Sequence, residues 1–326
     1  MKRILVTGGA GYIGSHVVKH LAKRGYEVLT FDNLSTGHKW AVKYSNLFVA
    51  DLNNKEAIKK CIVDFRPNAV IHFAASIEVN ESVLNPIKYY INNISNTINL
   101  LEVMKEEGVN KFLFSSTAAV YGNPLKVPID EDSPLNPINP YGNSKKMIEL
   151  ILKDISQANS DFCYVSLRYF NVAGADKDGE LGQVYENSIH LITRALKVIK
   201  GSIDKLQIYG TDYDTADGTC IRDYIHVDDL ADAHLIALDY LLDGKENNIF
   251  NCGYGHGYSV KEVIETVKKV TALPLKVEET GRRAGDPAIL IADNRKIKKV
   301  LGWLPKYNNL DYIIQTAWDW EKGLKN

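Results

Sequence analysis

The first half of the chain alternates short apolar runs with amphipathic stretches of helical spacing. Apolar runs at Arg3–Val6, Glu27–Phe31, Leu47–Val49, Ala69–Phe73, Phe112–Ser115 and Tyr164–Leu167 read as strands. They lack strict polar alternation, the pattern of strands covered by helices on both sheet faces. Helical segments fall between them, over Tyr12–Arg24, Lys55–Asp64, Pro86–Glu107 and Gly142–Gln157. Strand and helix in turn predict parallel strands joined by right-handed crossovers, an α/β fold with a doubly wound parallel sheet. Beyond residue 170 the alternation loosens. Asn171–Glu186 and Gly210–Thr219 are rich in Gly, Asp and Asn, as functional loops are. Helical spacing returns over Ser188–Lys200, Asp228–Leu242, Val260–Val270, Arg295–Leu301 and Tyr312–Lys322. The expected division is a domain over residues 1–170 and a smaller α/β domain over 171–326, with the chain crossing back to the sheet.

Charge narrows the range of partners. Lysine and arginine number 39 against 40 acids, a net charge of −1. Such a balance gives no general attraction to nucleic acid or to an anionic membrane, so an anionic ligand must be held by a few placed cations. The run Arg295, Lys296, Lys298 and Lys299 reads as a solvated helix face rather than a phosphate site. Four cysteines (Cys61, Cys163, Cys220 and Cys252) are too few for a disulfide scaffold and suggest reduced thiols in a cytoplasmic protein. The first apolar run breaks at Gly8-Gly9, too soon for an export signal, and no window reaches the roughly 18 apolar residues of a membrane helix. No metal site is expected.

Candidate chemistry begins at the first turn. Arg3–Val6 runs into Thr7-Gly8-Gly9-Ala10-Gly11-Tyr12-Ile13-Gly14, a strand, a glycine-rich turn and a helix start. Gly8 and Gly11 would let the backbone turn tightly and approach a pyrophosphate, and Gly14 would let the helix pack on the sheet. Asp32 ends the second strand, 18 residues past Gly14. A carboxylate there accepts hydrogen bonds from an adenosine ribose and repels a 2′-phosphate, which favours NAD over NADP. Asp51-Leu52 could hold the adenine edge or simply cap a helix.

Tyr141 and Lys145 are four residues apart at the start of a predicted helix and project from one face. With 18 tyrosines such a spacing arises by chance, and alone it proves nothing. Its weight comes from Ser115-Ser116-Thr117 at the end of the fifth strand, on the edge where open α/β sheets bind ligands. A tyrosine acting as base near pH 7 must be made more acidic than its usual pKa of about 10, at a cost of roughly 4 kcal/mol. An ammonium and an oxidised nicotinamide could each supply part of that. Ser116 or Thr117 would hydrogen-bond the reacting hydroxyl.

These segments together make the chain resemble the extended short-chain dehydrogenase/reductases and, within them, the UDP-galactose (UDP-glucose) 4-epimerase family. The resemblance runs through Thr7–Gly14, Asp32–Leu34, His72–Ala75, Phe114–Gly122, Pro140–Lys145, Leu167–Asn171, Asp217–Thr219, Arg222–Val227 and Arg282–Asp286. It implies a Rossmann-like NAD domain, a UDP-sugar domain, and a homodimer formed by the Pro86–Glu107 and Gly142–Gln157 helices. It also implies the reaction: Tyr141 removes the 4-hydroxyl proton, hydride passes from carbon 4 to a permanently held NAD, and the 4-keto sugar turns and takes it back. Cofactor positions fall on Gly8, Gly11, Tyr12, Ile13, Gly14, Asp32, Asn33, Leu34, Ser35, Thr36, Gly37, Asp51, Leu52, Phe73, Ala74, Ala75, Asn92 and Tyr169, besides Tyr141 and Lys145. Substrate positions fall on Thr117, Asn171, His190, Gln207, Tyr209, Arg222, Arg283, Asp286 and Leu290. Arg222 and Arg283 suit a diphosphate because guanidinium offers paired donors; as surface residues they would be ion pairs. Asn92 could equally be a buried helix amide and His190 a cap.

Two departures matter. Ile77 stands where some relatives carry a lysine that reaches the cofactor phosphates. Leu290 stands where hexose-restricted relatives often carry a tyrosine, which enlarges the pocket and implies acceptance of UDP-N-acetylhexosamines. Among rival chemistries, a 4,6-dehydratase needs an acid and a base right after the threonine, where this chain has Ala118-Ala119. UDP-N-acetylglucosamine and UDP-glucuronate epimerisation remain open alternatives, set by pocket shape. A non-catalytic NAD sensor would not need Thr117, Tyr141 and Lys145 together.

Overall fold

A computed structural model describes residues 1–185, 188–283 and 286–324. Six strands follow in order: β1 (Arg3–Thr7), β2 (Glu27–Asp32), β3 (Asn46–Val49), β4 (Ala69–His72), β5 (Lys111–Thr117) and β6 (Cys163–Tyr169). With a seventh, Asn248–Cys252, they form one parallel sheet in which β3, β2 and β1 lead on to β4, β5, β6 and the seventh strand. The chain leaves β1 toward β2 and later resumes on its other side at β4, which opens a crevice at the strands' carboxyl ends. Register aligns those ends, pairing Thr7 with Phe31 and His72, and Thr117 with Tyr169.

Burial explains the unbroken apolar runs. Ile4, Leu5, Val6, Val70, Ile71 and Phe112 to Phe114 are all at most 1% exposed, because both faces are covered. The Tyr12–Lys23 and Val227–Leu242 helices close one face with Val17, Leu21, Leu230 and Leu238. The Lys55–Phe65, Asn96–Glu106 and Pro140–Ala158 helices close the other with Ile58, Leu100, Met104, Ile148 and Leu152. Asn248–Cys252 and the Val227–Leu242 helix belong to the second half of the chain, so a cut at residue 170 passes through a shared core. The described remainder carries three small sheets, pairing Asn171–Ala173 with Tyr224–His226, Leu206–Tyr209 with Val277–Thr280, and Ile221–Arg222 with Tyr258–Ser259 and Ile289–Leu290.

Three differences from the sequence reading have local causes. The helix expected over Pro86–Glu107 contains a wider π turn at Tyr90–Ser95 between Pro86–Tyr89 and Asn96–Glu106. Buried Asn93 sits in that turn, accepting from Ser76 N and donating to Ser76 O and Ser144 Oγ. A tertiary pin of this kind leaves no mark on hydrophobic spacing. A short helix, Val79–Leu84, goes unpredicted, and the Ser188–Lys200 segment becomes helical only over Leu191–Ile199. Glu186, Ala284 and Gly285, within segments singled out above, lie outside the described residues. The basic run stays on the surface: Arg295 pairs with Asp293, and Lys298 and Lys299 are exposed.

Candidate active site

A cleft of about 1030 Å³ runs along the carboxyl edge of the sheet. That reaches the top of the about 300–1,000 Å³ usual for ligand sites, room for a dinucleotide beside a second ligand. One end is the glycine turn. Gly8 has φ +75°, and a Cβ there would lie 2.5 Å from Ala74 N; one at Gly14 would lie 2.2 Å from Gly8 O. Bare glycine thus lets the end of β1, the exit of β4 and the Tyr12–Lys23 helix meet. Gly11 precedes that helix and no side chain caps it, so its first N–H groups open toward the cleft.

At the tip of β2, Asp32 accepts from Ala10 N at 3.0 Å and Leu34 N at 2.8 Å. Burial pushes this carboxyl up from its usual range, and the two N–H bonds hold it back. Each oxygen keeps a lone pair for a ribose hydroxyl. Asn33 donates to Asp51 across 2.6 Å, which fixes the far wall with Ser35, Thr36, Gly37 and Leu52. Leu34 departs from expectation: it does not line the wall, and with φ 60° it serves through its backbone N–H. Phe73, Ala74, Ala75, Ile13, Tyr12 and Tyr169 complete the floor. Asn92 lines the cleft while its amide donates to Ser76 Oγ and Asn93 Oδ1.

The Pro140–Ala158 helix starts at Pro140 with Asn139 Oδ1 accepting from Gly142 N at 2.8 Å, a cap of about 1 kcal/mol. Its first turn brings Tyr141 to the cleft wall beside Thr117. Burial raises the Tyr141 phenol, and a hydrogen bond with Thr117 pulls it back. Lys145 lies one turn deeper, off the wall, where Nζ donates to Ser115 O at 2.8 Å and sits 4.9 Å above the Phe114 ring. Burial pushes its ammonium down to about 7, opposed by the charge of Glu149. Ser116 is a correction. Alternation along β5 turns it away from Thr117, and its hydroxyl donates to Glu149 at 2.5 Å, outside the cleft.

The other end of the cleft is cationic. Arg222 Nη1 donates to Ile221 O and Ala288 O, and its Nη2 lies 3.6 Å from Asp286. Arg283 Nε lies 3.5 Å from the other oxygen of Asp286, with its guanidinium 4.3 Å over the Tyr209 ring. Tyr209 donates to Gln207 at 2.6 Å. Two guanidiniums sharing one carboxylate leave a net positive charge for an anion. Asn171 lines the wall, as does Leu290, the register partner of Arg222. His190 lines it too, hydrogen-bonded to Gln183 at 3.0 Å, and burial pushes its imidazole down to about 4. The sequence reading missed Tyr185, Lys88 and Arg194, all on the wall. Only Arg194 left a signal, lying in the first turn of the helix that His190 precedes.

Comparison with known proteins follows the same lines. The NAD dependent epimerase/dehydratase family matches residues 4–253. A UDP-glucose 4-epimerase of Lactobacillus helveticus is 47% identical over 98% of this chain and 97% of its own length. A crystal structure of UDP-glucose 4-epimerase from Brucella ovis in complex with NAD superposes with TM-score 0.95, at 44% identity over 98% of each chain. The UDP-Glc/GlcNAc 4-epimerase of Campylobacter jejuni is 52% identical, with TM-score 0.87 over 99% of this chain and 100% of that one.

Proposed function

The chain belongs to the NAD-dependent epimerase/dehydratase family, and from that premise we propose that it is a UDP-sugar 4-epimerase that interconverts UDP-glucose and UDP-galactose. NAD is its cofactor; residues before 170 form its cradle, and residues after 170 supply the cationic grip on the UDP-sugar, whose reacting end faces Thr117 and Tyr141. The glycine turn, the uncapped helix start and the lone pairs of Asp32 suit its pyrophosphate and ribose. NAD held there would supply an acceptor for the hydride of sugar carbon 4 and a donor for its return to the opposite face.

The remaining work belongs to the chain. Arg222 and Arg283 grip the diphosphate and leave the sugar free to turn about its anchored end. Thr117 aligns the 4-hydroxyl, and Tyr141 takes its proton and later returns it. Burial by itself raises the Tyr141 phenol, so the positive charge needed to ionise it comes from Lys145 and the oxidised cofactor. The observation that carries this reading is Tyr141 beside Thr117 on the same cleft wall that ends at the Arg222–Arg283 pair. Purified protein given UDP-glucose and no reductant should form UDP-galactose, followed by NMR; a full substrate panel with no epimer formed would refute it.

Leu290 supports a wider substrate range. A leucine on the wall beside Arg222 leaves room for an N-acetyl group, in keeping with the Campylobacter jejuni relative named for both sugars. A kcat/KM ratio for UDP-galactose over UDP-N-acetylgalactosamine above about 10³, roughly 4 kcal/mol, would exclude it. Exposed Val83, Leu84, Ile87, Ile91, Met147 and Leu150 on the Val79–Leu84 helix, the Pro86–Ser95 segment and the Pro140–Ala158 helix support a homodimer through that face, which light scattering tests. No helix among the described residues is long and apolar enough to cross a membrane, and free Cys61, Cys163, Cys220 and Cys252 fit a reducing cytoplasm.

A further inference from the structure

Behind the proton-transfer residues lies a buried ion pair that the reaction does not touch. Glu149 is 4% exposed and follows Tyr141 and Lys145 on the Pro140–Ala158 helix at the next four-residue step, so all three lie on one face. Its Oε1 accepts from Ser116 Oγ at 2.5 Å and Arg168 Nε at 2.9 Å, and its Oε2 from Arg168 Nη2 at 2.6 Å. The remaining guanidinium nitrogen, Nη1, donates to Tyr121 Oη and Glu131 O. Ser116 and Arg168 are register partners on β5 and β6, and the next pair along, Thr117 and Tyr169, lines the cleft. One carboxylate therefore joins the helix bearing Tyr141 and Lys145 to both strands that present Thr117 and Tyr169.

We propose that Glu149 is a positioning residue for proton transfer: through Ser116 and Arg168 it fixes the catalytic helix against β5 and β6, and it supplies the buried negative charge that Lys145 faces. The proposal rests on the epimerase reading given above. Burial works to strip the proton from Lys145, and Glu149 works to keep it. The other ionisable groups around the pair cannot take over that task. Burial raises the phenols of Tyr141, Tyr169 and Tyr185, so none of them brings a standing negative charge to Lys145. His72 on β4 is pushed down to about 3, first by burial and then by the charge of Lys145 itself. Arg168 and Tyr121 lie behind the carboxylate and are bound to each other. Without the charge of Glu149, Lys145 sheds its proton at lower pH and no longer favours the Tyr141 phenolate. The acid limb of the kcat profile then moves up and the alkaline limb moves down.

The experiment compares holoenzymes matched for dinucleotide content and melting temperature. Glu149→Gln alone would bury an unpaired guanidinium, so the variant is Glu149→Gln with Arg168→Gln. The expected result is a kcat profile narrowed by about 0.5–1 pH unit on each side, with KM unchanged. A profile of wild-type width in the folded double variant overturns the proposal, even if kcat falls uniformly. Should the double variant not fold, Ser116→Ala decides, because it cuts only the tie to β5. A drop in kcat of about threefold or more at constant KM supports the proposal, and wild-type kcat overturns it. Wild-type enzyme inactive on UDP-sugars would instead defeat the epimerase reading, a separate outcome.

Discussion

The Lys145 ammonium donates to the carbonyl oxygen of Ser115 at 2.8 Å, two residues before the threonine that flanks Tyr141. The lysine is thus held at the end of β5, and in the proposed mechanism its positive charge favours the Tyr141 phenolate. Lys145→Met should keep the fold and lower kcat by about 10²–10³, with the acid limb of its pH profile moved upward. Steady-state kinetics across pH checks this.

Tyr141→Phe removes the proton acceptor and leaves the cleft wall in place. Turnover should fall by about 10²–10⁴, with dinucleotide content and melting temperature unchanged. Loss of the dinucleotide would mean that Tyr141 serves binding instead.

At the substrate end, Arg283→Lys keeps the charge but gives up the planar fork and its stacking on Tyr209. KM for UDP-galactose should rise about 10-fold with kcat within a factor of about three. Leu290→Tyr fills the space beside Arg222. It should lower kcat/KM for UDP-N-acetylgalactosamine by about 10- to 100-fold and spare UDP-galactose.

His20 gives a stability signature separate from catalysis. Burial lowers its imidazole, but Asp228 at 3.3 Å and Asp232 at 2.9 Å outweigh this and carry it to about 9. Folding therefore raises its affinity for the proton. The stabilisation is full below pH about 6.5 and is lost as pH rises through about 9. His20→Gln should remove about 3 kcal/mol at pH 6 and almost none at pH 10. Denaturant unfolding at the two pH values measures it.

Sequence spacing revealed the sheet because strands buried on both faces must be continuously apolar, and Ile4–Val6 and Phe112–Phe114 are. The glycine turn and the Tyr141–Lys145 pair were legible because each needs a fixed local spacing. What spacing could not carry was side-chain direction. Ser116 and Thr117 are neighbours in sequence, yet the pleat sends one to Glu149 and the other to the cleft. Leu34 was named for its position and acts through its backbone. Asn93 bends the Tyr90–Ser95 turn by hydrogen bonds to Ser76, a partner 17 residues away. Tyr185, Lys88 and Arg194 join the wall only through tertiary folding.

In the proposed reaction the hydrogen on sugar carbon 4 leaves as hydride and comes back without meeting solvent. Incubating purified enzyme with UDP-glucose in D2O, with no cofactor or reductant added, tests this in one NMR spectrum. The UDP-galactose formed should carry protium at carbon 4. Deuterium at that carbon would contradict it, since the hydrogen would then have left as a proton and been replaced from water.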